Sequence, residues 1–111
     1  MIRALALAGS CAVAPVGAAA HQMTVFASSD CETVTVEAKF SNGNPVMIAD
    51  VRVLDGNNVL LLTLPINDDG TLAIPLDSVD HSGGLSIEVD TGSHDNYWIV
   101  TPDDLARNCQ S

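Results

Sequence analysis

The residues of this chain best suited to hold a transition-metal ion are His21, His81 and His94, with Met23 as a soft donor and Cys31 and Cys109 as a thiol pair. His21 matters through its position. It directly follows Ala18-Ala19-Ala20, and a cut after Ala20 would give it a free α-amine beside its imidazole Nδ1. Those two nitrogens close a six-membered ring on one metal ion. An α-amine titrates near about 7.7–8.0 and an imidazole near about 6.5, so a metal can displace both protons close to neutral pH. Nitrogen donors of this kind suit nickel, copper and zinc. The competing reading is a terminus without a ligand role.

The other candidates depend on where the fold places them. His94 lies in "DTGSHDNYW", on a glycine-containing turn ahead of the last expected strand. First and late strands are often neighbours, so His94 is expected to reach towards the start of the first; a turn histidine in water is the alternative. His81, in "VDHSGG" beside Asp80, has the plainer reading of a solvated loop histidine. Met23 shares a strand face with His21 and would suit Cu(I); its plainer reading is a core methionine. Cys31 and Cys109 form an even pair, most simply a disulfide in an oxidising compartment. Such a bond would close a long loop and contribute about 4–4.5 kcal/mol in the chain-entropy account. Metal ligation is the alternative, although the spacing is not C-x-x-C.

Residues 1–20, "MIRALALAGSCAVAPVGAAA", carry one cation, an apolar stretch and a small-residue end. That is the pattern of a secretory signal. Pro15 and Gly17 interrupt it, and a membrane span needs about 20 predominantly apolar residues. Ala8 stands where a lipidation motif at Cys11 would want a large aliphatic residue. The expected organisation is a signal peptide over 1–20 and one domain over 21–111, periplasmic or secreted and not membrane-spanning once cut.

The formal charge of the whole chain is −10. Of its four Lys and Arg only Arg3 lies in the signal, so the remaining domain is still more acidic. Such a surface repels nucleic acid and anionic lipid. No G-x-S-x-G, H-E-x-x-H or P-loop is present, and most Asp residues sit in turn contexts that favour Asp for conformational reasons. An enzyme is not expected.

The elements that must position the histidines read as strands. "QMTVFA" (22–27), "ETVTVEAKF" (32–40), "VMIADVRVLD" (46–55) and "LSIEVDTG" (85–92) alternate with period two, the mark of half-buried antiparallel strands. "VLLLTLPI" (59–66) is continuously apolar and is expected to be buried on both faces. "TLAIPL" (71–76) is placed at an edge, or brought to its own end, by Pro75, and "YWIVT" (97–101) is the last strand. Tyr97 and Trp98 should face opposite ways, one of them into the core. "PDDLARNC" (102–109) suits a helical turn capped by Thr101 with Pro102 first. Seven short strands with turns at this spacing predict a seven-stranded antiparallel β-sandwich, all-β and Ig-like.

The order of these elements resembles small extracytoplasmic accessory proteins of energy-coupling-factor-type nickel transporters. The residues carrying the resemblance are His21 after the signal, Val25-Phe26-Ala27, the strand Val34 to Phe40 with Glu37-Ala38, and Ser41-Asn42-Gly43-Asn44-Pro45. Ala49 to Asp55 has the form of a prealbumin-like or carboxypeptidase-regulatory-like segment, and "VDTGSHDNYWIVTPDDL" places His94 in the histidine position. The chain departs from that pattern at Pro65 to Gly70, and the cysteine pair looks like an addition. The resemblance implies a periplasmic role in nickel uptake, with Ni(II) bound through His21 and His94 or support given to the membrane components of such a transporter. Cu(II) is the second candidate ion. The alternatives are a metal-independent interaction module and a small copper carrier, the latter poorly supplied with additional Met and His ligands. A histidine-brace oxygenase would need a larger scaffold.

Overall fold

The computed structural model describes residues 22–109. Alternation is the main organiser. In β1 (Met23–Ser29) Met23, Val25 and Ala27 are buried while Thr24, Phe26 and Ser28 are exposed, and in β2 (Thr33–Phe40) Val34, Val36 and Ala38 are buried. The same period runs through β3 (Asp50–Asp55) with Val51 and Val53, and through β6 (Leu85–Asp90) with Leu85, Ile87 and Val89. Successive strand side chains point to opposite faces, so each of these strands offers one apolar side to a shared interior.

β4 (Leu60–Pro65), β5 (Thr71–Pro75) and β7 (Asp95–Val100) complete two antiparallel sheets, ordered β1-β2-β5 and β4-β3-β6-β7. They pack as the expected β-sandwich. The core between them includes Val34, Val36, Val51, Val53, Ile74, Ile87 and Val89, all fully buried. β5 is an edge strand and ends at Pro75, which cannot extend the ladder. Among turn residues, Gly70 has φ +79, and a Cβ there would lie 2.6 Å from the Ala38 carbonyl oxygen. Glycine is required by conformation and by space.

The last element, α1 (Pro102–Asn108), carries the expected cap. The Thr101 hydroxyl accepts from the Asp104 N–H at 3.0 Å, and the Asp104 carboxylate accepts from the Thr101 N–H at 3.2 Å. This is a reciprocal capping box. Leu105 is the helix's buried residue, and a disulfide joins Cys109, at its C-cap, to Cys31 in the β1–β2 turn.

Three expectations need correction. The strand predicted over 46–55 begins only at Asp50. Residues 46–49 form the crossover between sheets: Val46 donates to the Ala38 carbonyl at 3.0 Å, and Ala49 accepts from the Ile66 N–H at 3.0 Å. Val46 and Ala49 are buried, whereas Met47 and Ile48 are exposed, a pattern that period-two reading mistook for a strand. β4 is not buried on both faces. It lies at a sheet edge, with Leu60 52% exposed. Neither Tyr97 nor Trp98 is a core residue. Trp98 is paired opposite the buried Ile87, but on an edge strand it turns across the sandwich opening and meets Phe26 edge-on, with centroids 5.0 Å apart.

Candidate functional site

His94 closes the tight turn between β6 and β7. Its carbonyl accepts from the Thr91 N–H at 2.9 Å, and its N–H donates to the Thr91 hydroxyl at 3.0 Å. Gly92, at φ +95, lets the chain reverse, and its N–H donates to Asp90 Oδ1 at 2.7 Å. That N–H, and then the Arg52 guanidinium, hold the Asp90 carboxyl below its ordinary 3.8. The half-buried His94 ring stands edge-on to Phe40, with centroids 6.1 Å apart. Its Nδ1 lies 3.1 Å from the Ser93 hydroxyl, and Nε2 has no hydrogen bond among the described residues.

The start of β1 lies at the same end. Phe40, against which His94 stands, is the register partner of Met23. The Gln22 carbonyl accepts from the Ser41 N–H at 2.7 Å, and the Met23 carbonyl accepts from Asn96 Nδ2 at 2.9 Å. Gln22 is therefore two strand positions or fewer from groups that touch the His94 turn. His21 itself lies outside the described residues, as does the proposed cut after Ala20.

The remaining candidates separate. Met23 turns its thioether into the core and is 5% exposed. His81 sits beyond the other end of sheet β1-β2-β5. It follows Pro75, the partner of Thr33, whereas Phe40 closes the opposite end of the same strand. At about 3.3 Å per residue, β2 alone separates those ends by roughly 20 Å. The fold thus does not gather His81 and His94 at one ion. His81 Nδ1 lies 3.1 Å from both the Leu76 and Val79 carbonyl oxygens. Two acceptors require Nδ1 to carry a proton, so the ring is fixed to its loop. Cys31 and Cys109 are bonded to each other, which takes their sulfurs out of contention as thiolate ligands.

Two features of this end went unread in the sequence. Asn96 spans from β7 to β1, donating to the Met23 carbonyl while its Oδ1 accepts from the Tyr97 N–H at 2.8 Å. A groove of about 420 Å³ also opens at the lower rim of the four-stranded sheet, between Met47-Ile48 and Pro65-Ile66, with Asp50 and Asp90 in its wall. In the sequence 46–49 reads as the start of a strand, so the groove has no local signature. Among the described residues no helix is long and apolar enough to cross a membrane. Compared with protein-family models, with curated proteins and with solved structures, the chain matches none.

Proposed function

We propose that this protein is an extracytoplasmic accessory protein for nickel uptake, binding the ion through the α-amine and imidazole of His21 together with the His94 imidazole. Ni(II) is the cargo on this reading rather than a resident cofactor. The observation that carries it is the meeting of two chain segments: β1 starts beside the turn that presents His94, joined to β7 by the Asn96–Met23 hydrogen bond of 2.9 Å. The donor chemistry fits. His94 has an uncommitted Nε2, and imidazole with amine nitrogen is a set that late first-row divalent ions favour. The disulfide supports a compartment outside the reducing cytoplasm, and the motif order supports association with a transporter of the energy-coupling-factor type.

The test has two steps. Mass spectrometry of the secreted protein should find His21 as its first residue. Isothermal titration with Ni(II) and Cu(II) should then show one tight site, weakened by His21→Ala or by His94→Ala by at least the roughly 10–100-fold that loss of a mere outer-shell partner costs. Unchanged affinity in His21→Ala removes the site.

A further inference from the structure

The outer face of the four-stranded sheet carries an apolar groove beside a row of carboxylates; it borders the Thr91-Gly92 turn that precedes His94 but is lined by no histidine. This groove, of about 420 Å³, lies at the lower rim between Met47-Ile48 and Pro65-Ile66. Ile48 is 85% exposed and Met47 56% exposed, although the same short crossover buries Val46 and Ala49. Two large apolar side chains are thus held in water beside an apolar hollow.

Charge surrounds this hollow on one side. Pro65, Asp50, Asp90 and Asp95 stand opposite one another across the four strands. Neighbouring strands are about 4.8 Å apart, so Asp50 and Asp95 are separated by roughly 10 Å. Like charges placed directly across a ladder cost stability. Arg52 relieves only part of that cost, pairing with Asp90 at 3.2 Å and with Glu88 at 3.0 Å. The other described cations are committed elsewhere, Lys39 to Glu37 and Arg107 to Asp104. No described cation pairs with Asp50 or Asp95. A second hollow of about 270 Å³ continues the surface past Asp95, walled by Glu88 and the exposed ring of Tyr97.

We propose that this surface docks a basic segment of another protein. One large apolar side chain of the segment enters the groove between Ile48 and Ile66. Its Lys or Arg residues meet Asp50 and, across the row, Asp95 and the Tyr97 ring, where a cation is attracted by both charge and the aromatic face. In an extended segment, cations three residues apart match the roughly 10 Å span of the row. An anionic lipid surface is excluded by the sign of the field, and a second copy of this chain would bring the same carboxylates face to face.

The test is fluorescence anisotropy of the secreted protein with short labelled synthetic peptides, each carrying a leucine and two arginines three residues apart, in EDTA. Saturable binding is expected, weakening as salt rises. Replacing the peptide's leucine by serine, or Ile48→Ser in the protein, should each weaken it about tenfold. Ile48 is too exposed for that change to disturb the fold, which circular dichroism checks. The pair Asp50→Asn and Asp95→Asn should weaken binding and flatten its salt dependence. Equal binding with and without the leucine, or by Ile48→Ser, would reduce the effect to general charge attraction and overturn the proposal. Absence of saturable binding at millimolar peptide overturns it as well. Because the assay is run in EDTA, failure of the histidine site leaves its outcome untouched.

Discussion

A single side chain, Asn96, ties the two sheets together at the end where β1 starts. Its amide donates to the Met23 carbonyl and accepts from the Tyr97 N–H, so one residue satisfies exposed backbone groups on two edge strands. Unpaired edges are templates for wrong association, and Asn96 blocks part of this one. Each net hydrogen bond is worth about 0.5–1.5 kcal/mol. Asn96→Ala should therefore lower unfolding free energy by about 1–2 kcal/mol in urea melts, with faster hydrogen exchange at the Tyr97 amide. If the His21–His94 site exists, the same change should also loosen it, because the start of β1 is no longer held beside the turn. Nothing in the sequence marks Asn96 out. It lies among turn-forming polar residues, and its partner is 73 positions away.

Elements differ in how far their local sequence decides them. α1 is a local product. Thr101, Pro102 and Asp104 supply hydroxyl, preset φ and reciprocal carboxylate within four residues; the first two were legible from the sequence, and the structure added the carboxylate. Thr101→Ala removes the cap and should cost about 1 kcal/mol. The loss should show first as fraying of the helix amides, because Leu105 alone anchors α1 by burial. β1, β2, β3 and β6 were legible through period two, since each lies against the opposing sheet on one side only. The edge position of β4 and the crossover at 46–49 were not. An apolar run arises equally from a strand buried on two faces and from an edge strand such as β4. The burial of Val46 and Ala49, three apart, is set by how the chain passes between sheets, and no two-residue period can express it.

At the scale of the whole molecule, closure and charge act together. The Cys31–Cys109 disulfide spans 78 positions and fastens the weakly buried helix to the β1–β2 turn. Reduction, or a Cys31→Ser and Cys109→Ser double variant, should lower stability by about 4 kcal/mol, with α1 amides exchanging first. Urea melts with and without reductant measure it. Acid should act through the turn carboxylates. Asp30 and Asp104 are held below 3.8 chiefly by backbone N–H groups of Glu32 and Thr101, and Asp69 and Asp80 chiefly by the hydroxyls of Thr71 and Ser82. A carboxyl that is more acidic folded than unfolded contributes stability above its unfolded value, and that contribution is lost as pH falls through the folded value. Stability should therefore be insensitive to these groups above about pH 5 and decline below 3.8, followed by tryptophan fluorescence of Trp98 across a pH series.

By itself the sequence determined what depends on neighbours along the chain: alternation and hence sandwich class, the turns, the helix cap, and the presence of one pairable set of cysteines. These are properties of a few consecutive residues and need no knowledge of the partner strand. The tertiary structure decided which strand ends meet. It placed His94 and the start of β1 at one end, sent His81 to the other, turned Met23 inward, and lined Asp50, Asp90 and Asp95 across three strands. Strand order and register fix those relations, and both arise from packing among residues far apart in the chain.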